Sequence, residues 1–136
     1  PNCSEVADFF GSVNWLAGTR VASKIVETKI GRLEVCVHGD TGPEVLVGFR
    51  PESLQIVDRG NVSGPNAFDA VLRSSIFLGD QFIYDAVVKN QLLVGKSRLI
   101  PTGGDRKFQL FVEPSEIMVF PHSEMKDRIL SPAQRS

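Results

Sequence analysis

Several stretches of this chain hold residue types that do chemistry in other proteins. VGKS, residues 94–97, ends like a phosphate-binding loop. That loop needs G-x-x-x-x-G-K-[ST], because its first glycine permits the turn that aims backbone N–H groups at a phosphate. Here the position five before Gly95 is Asn90, and the residues that follow, RLIPTGG, do not open a helix. The stretch is not a phosphate loop. His38 and His122 stand far apart, and neither belongs to an H-x-H or H-x-x-E pattern. Cys3 and Cys36 lack metal-ligand spacing and do not make a disulfide framework, which favours a reducing, cytoplasmic setting. No G-x-S-x-G, C-x-x-C or D-x-D-x-D-G segment occurs. The residues offer no catalytic constellation and no metal site, so the expectation is a chain that is not itself an enzyme.

Binding of nucleic acid is equally unsupported. Formal net charge is −1, without a basic footprint. Nine of the eleven aromatics are Phe, mostly flanked by aliphatic residues rather than interleaved with Lys and Arg as on a nucleic-acid-binding sheet face. Phe77, Phe82, Phe108, Phe111 and Phe120 are flanked by aliphatic residues and are expected in the core.

The most informative pattern is a repeated phrase. VGFRPESLQIV (47–57) and LFVEPSEIMVF (110–120) align proline on proline, Pro51 on Pro114, setting Leu54 over Ile117 and Ile56 over Val119. Proline lacks an N–H and pushes the residue before it towards extended geometry. Arg50 and Glu113 should therefore each finish a strand. Pro51–Glu52 and Pro114 should start a tight turn, and Leu54 and Ile117 should drop back onto a barrel mouth. The recurrence implies an internal duplication or two similar barrel corners, and the role of Arg50, Pro51, Glu52 and Pro114 is architectural.

The elements around this phrase are mostly strands. Short apolar alternations recur at 19–27, 33–37, 44–49, 54–59, 67–79, 81–89, 91–95, 107–113 and 116–120, with Gly, Asn, Asp and Pro clusters between them. Many short strands with closely spaced turns argue an all-β barrel or sandwich. SEVADFF, 4–10, reads as a short helix capped by Ser4 and ended by Gly11, and SEMKDRIL, 123–130, as a weaker one. A length of 136 residues suits one domain with a real core. No apolar run approaches the ~18 residues of a membrane span, and direct membrane insertion is not expected.

Four segments taken in order, VADFFGSVNWLAGTRV (6–21), VGFRPESLQIV (47–57), SSIFLGDQFIYDAVVKN (74–90) and VEPSEIMVF (112–120), resemble the C-terminal regulatory domain of ATP-binding subunits of bacterial ABC importers. Such domains are called TOBE, or transport-associated OB, and are similar to molybdate-binding barrels. The resemblance implies two intertwined small OB-like β-barrels over 12–121, a junction helix over 1–11 from a preceding nucleotide-binding domain, and a tail over 122–136. It implies a role in holding two copies of the subunit together, with permease subunits as further partners through the parent protein. ATP and Mg would belong only to that nucleotide-binding domain, since no Walker A, Walker B or signature segment is present here. Trp15 and Leu16 are candidates for a contact surface or for the core. The related molybdate-binding barrels hold an oxyanion with Ser, Asn and a basic side chain. SVNWLAG (12–18) resembles that segment through Ser12 and Asn14 but has no basic partner within it.

Overall fold

The computed structural model describes residues 13–36, 42–57, 63–101 and 106–122. The two expected helices, at 4–10 and 123–130, lie outside the described residues, as does His38. The described residues form ten strands: β1 (Asn14–Ala22), β2 (Ile25–Thr28), β3 (Gly31–Glu34), β4 (Glu44–Phe49), β5 (Leu54–Val57), β6 (Ala67–Phe77), β7 (Phe82–Val88), β8 (Gln91–Ser97), β9 (Lys107–Val112) and β10 (Met118–Pro121). The fold is all-β, two curled sheets consistent with OB-like barrels, as expected. One reading is corrected: 19–27 is not a single strand. Ser23 and Lys24 turn the chain between β1 and β2, because the alternation there breaks at two polar residues.

The sheets explain the repeated phrase. Their strand orders are β10-β4-β1-β2-β3 and β5-β9-β6-β7-β8. Each half of the chain builds four strands of its own sheet and then crosses to edge the other. β5 leaves the first half and pairs with β9 of the second, Leu54 opposite Val112. β10 leaves the second half and pairs with β4 of the first, Val119 opposite Val47. Both crossings are made by the proline phrase. Arg50 (ψ 154°) and Glu113 (ψ 138°) are extended, and Pro51–Ser53 and Pro114–Glu116 each form one 3₁₀ turn. The N–H groups of Leu54 and Ile117 then donate to the carbonyls of Pro51 and Pro114. The two turns touch where they are equivalent, Ser53 Oγ donating to Glu116 Oε1 at 3.3 Å across 63 residues of sequence.

The duplication extends well beyond the corners. β1 and β2 slip register between Arg20 and Ala22, and β6 and β7 slip at the matching place, between Leu72 and Ser74. The Arg20 N–H donates to the Pro43 carbonyl, as the Leu72 N–H does to that of Arg106. A β-bulge carries a fixed local kink and twist, so its recurrence marks a shared design.

One core joins the halves. Leu16, Val47 and Phe49 of the first pack in a single cluster with Phe68, Tyr84 and Leu110 of the second. Leu54 and Ile117, which anchor the exchanged strands, are both buried in it. Each such aliphatic side chain stabilises the crossing by about 1.5–3 kcal/mol. Leu16 is therefore core and not contact surface. Trp15 is half-buried; its ring lies over Gly48, where any Cβ would collide with it at 2.6 Å, and meets Phe120 of the exchanged β10 with centroids 5.7 Å apart.

Two asparagines tie strand ends across the sheets. Asn14, at the head of β1, reaches β8: its Nδ2 donates to the Val94 carbonyl and its Oδ1 accepts the Val94 N–H, both at 2.9 Å. Asn66, just before β6, does the same to β3, accepting the Glu34 N–H at 2.6 Å and donating to the Glu34 and Val112 carbonyls. A primary amide suits this because its C=O and N–H₂ mimic a peptide edge. Asn66 also sits at φ 69°, a left-handed conformation that asparagine tolerates better than most residues. Asn66→Ala is expected to cost about 3 kcal/mol or more, since it orphans buried backbone groups and adds strain, and Asn14→Ala about 1–3 kcal/mol. Urea unfolding checks the order, and an Asn66→Ala protein no less stable than Asn14→Ala would contradict it.

Candidate functional site

The residues singled out from the sequence separate into two places. Ser12 lies outside the described residues. Asn14, its intended partner, is buried and has both ends of its amide on the Val94 backbone. Arg50, Pro51 and Glu52 sit at one exchange corner, Pro51 buried and the two charged residues exposed. Pro114 sits at the other, half-buried. The two corners meet each other through Ser53 and Glu116. What these positions do in the fold is turn and tie strands.

Among the described residues, no set of three His, Cys, Asp or Glu side chains stands close enough to hold a metal ion. Arg32 and Glu27 form an ion pair across β2 and β3, with both side chains more than half exposed. At that exposure the pair contributes little. Cys36 is a free, exposed thiol. No helix among the described residues is long and apolar enough to cross a membrane.

Tyr84 is the exception in its environment. It is 1% exposed, and its hydroxyl has no hydrogen-bond partner among the described residues. The ring lies against Gly95 on the neighbouring strand, where a Cβ would come within 2.2 Å of the ring carbon Cζ. Phe108 meets the ring edge-on at 6.1 Å. Burial pushes the phenol well above the ordinary tyrosine range, because the phenolate would lose its hydration with nothing to replace it. A phenol held neutral in this way fills space in the core.

The surface feature that stands out is the β6–β7 hairpin. In the first half, the hairpin closes directly across Ala22 and Ile25. In the second half the matching pair is Ser74 and Asp85, tied by a Ser74 Oγ to Asp85 Oδ2 hydrogen bond at 3.2 Å. Beyond it the strands continue to Phe77 opposite Phe82. This extension carries Ile76, Phe77 and Leu78 into solvent at 63%, 58% and 53% exposure. Phe77 and Phe82 steady each other with ring centroids 5.0 Å apart. Phe77 is thus not core, and the other four phenylalanines expected inside, Phe82, Phe108, Phe111 and Phe120, are only half-buried. Aliphatic neighbours signalled a strand correctly, but the strand runs past the edge of the barrel. Among the described residues, the buried phenylalanines are Phe49 and Phe68.

Asn66 was missed by sequence reasoning. It lies in GNVSGPN, where Gly, Pro and Asn announce a turn, and its match to Asn14 emerges only once the strand registers are known.

No protein-family model matches the chain, and no curated protein matches it. Among solved structures, the fold is similar to that of the cytoplasmic molybdate-binding protein ModG in a form with molybdate bound. The TM-score is 0.61 at 11% sequence identity, over 79% of this chain and 94% of that one. The likeness shows the fold: an OB-type architecture shared with a molybdate-binding protein.

Tyr84 gives a direct test of its packing, being the sole tyrosine. Its folded-state pKa is raised, so the stability it contributes is complete below pH 10 and lost as pH rises above that value. The phenolate absorbance should therefore develop only above pH 10, together with unfolding. Tyr84→Phe should match the wild type within about 1 kcal/mol at neutral pH and outlast it in alkali. A free phenol titration near pH 10 in the folded protein would contradict the buried placement.

Proposed function

We propose that this chain is a regulatory and dimerisation domain of the ATP-binding subunit of an ABC importer. The observation that carries the reading is the apolar tip of the β6–β7 hairpin, present in one half of the duplicated fold and absent from the other. Three large apolar residues held in water on a steadied hairpin are the mark of an interaction surface. The hairpin lies within SSIFLGDQFIYDAVVKN, and the two exchange corners lie within VGFRPESLQIV and VEPSEIMVF, segments that carry the resemblance to TOBE domains.

On this reading ATP hydrolysis, with its Mg, belongs to a nucleotide-binding domain of the parent subunit. That subunit works at the cytoplasmic face of the membrane with its permease partners, importing a polyamine, iron(III), a sugar or a similar small solute. The β-barrel pair supplies a rigid tether. A tether raises the effective concentration of two ATPase domains, to about millimolar for short linkers, and contributes no catalytic group.

The fold shared with ModG favours a second reading, a barrel that senses a small oxyanion. Against it stands Asn14, whose amide is already occupied by Val94.

Sedimentation and calorimetry separate the two. The tethering reading predicts concentration-dependent dimerisation that Phe77→Glu shifts at least about tenfold towards monomer while the far-ultraviolet dichroism stays unchanged. It also predicts no heat on titration with molybdate, tungstate or sulfate. Heat with any of these oxyanions, from a protein that stays monomeric, would overturn it in favour of the sensor.

A further inference from the structure

The duplication supplies an internal comparison for every surface feature, and one pair of grooves has diverged in chemistry. In the first half, a groove of about 320 Å³ runs along Ala17, Gly18 and Thr19 on β1, with Glu27, Lys29 and Glu44 at its sides. In the second half the matching groove runs along Asp69, Ala70 and Val71 on β6, with Val87, Lys89 and Lys107 in the places of those three residues. It is about 810 Å³, within the ordinary range for small-molecule sites.

Two changes made it a different site. Thr19 and Glu27 of the first groove are replaced by Val71 and Val87, which pair directly across β6 and β7 and floor the second groove with hydrocarbon. Val71 is 44% exposed, so this floor faces solvent. Glu44 is replaced by Lys107, so two lysines line the cleft where the first half has one lysine, two glutamates and His122. Among the described residues, the one carboxylate lining the second groove is Asp69, which accepts a hydrogen bond from Gln109 Nε2 at 3.2 Å. Lys89 is set by its backbone: it opens the β7–β8 turn at φ 47°, and its Nζ lies against Gly31 of the facing turn. Phe108 and Ile30 add an aromatic edge and an aliphatic wall.

The geometry points to a binding site for an organic carboxylate with an apolar or aromatic body, its carboxylate on Lys89 and Lys107 and its body on Val71 and Val87. The inference does not rest on the tethering reading, and the groove lies at the opposite end of β6 from the hairpin tip. A bare inorganic oxyanion would leave the valine floor wet, so the chemistry favours an amphiphilic anion over a tetrahedral one.

The test is ¹⁵N-resolved NMR titration of the full chain with benzoate and 4-methylpentanoate, alongside sulfate and the neutral benzyl alcohol. Shifts are expected to concentrate at residues 67–71, 87–90 and 107–109 with the two carboxylates, saturating at or below about 5 mM. Lys107→Glu, which installs the first groove's residue, is expected to weaken binding about tenfold or more, and raised salt to weaken it further. Lys89→Asn keeps a residue suited to the left-handed turn and should also weaken binding, guarding against a folding defect in the first variant. Glu44→Lys, in the other groove, should leave the affinity unchanged. No shift with either carboxylate, equal response to sulfate or benzyl alcohol, or affinity indifferent to both lysine substitutions would overturn the proposal.

Discussion

Neither half of this molecule can complete its own sheet. β4 needs β10, which the chain supplies more than sixty residues later, and β9 needs β5, which comes from the other half. A lone half would leave a central strand with an unpaired edge and a hydrophobic strand with no sheet to join, a combination that invites aggregation. Exchange removes both problems at once, at the entropic cost of closing long loops before the rewarding contacts form. The proline corners matter because they lower that cost. A proline start and a single 3₁₀ turn leave few alternatives for the direction in which each crossing strand departs.

This constraint also explains where the molecule could vary. Positions at the exchange are matched in both halves: the prolines, the anchoring Leu54 and Ile117, the asparagine ties and the bulges. Positions on the outer faces and at hairpin tips are not. One hairpin is short and polar at Ser23 and Lys24, while its mate is long and ends in Ile76, Phe77 and Leu78. One groove is small and lined by two glutamates, its mate larger and lined by two lysines. Packing limits what the core can accept, whereas a surface on a duplicated scaffold can change in one copy while the other keeps the original form.

Much of the scaffold was legible in the sequence and much of the site was not. Proline chemistry is local, so the corners at Pro51 and Pro114, the extended Arg50 and Glu113, and the burial of Leu54 and Ile117 follow from a few residues each. Strand identity was legible for the same reason, from alternation. The partner of each strand was not, because hydrogen bonding between β10 and β4 leaves no mark on either segment alone. Asn14 shows the gap most clearly. Its residue type fits an anion ligand, a turn or a backbone tie equally well, and only the position of Val94 distinguishes them. Phe77 shows it from the other side: a run of apolar residues reads as core until the length of the hairpin carries it past the barrel.

The two sheets carry separate reporters, since Trp15 is the sole tryptophan and stands in the first, while Tyr84 is the sole tyrosine and stands in the second. Equilibrium unfolding in urea, followed by tryptophan fluorescence and by tyrosine absorbance in the same samples, measures whether the interlocked sheets are one cooperative unit. Coincident midpoints and slopes are predicted, because the first sheet cannot lose β10 or the second β5 without the other. Two separated transitions would contradict the account.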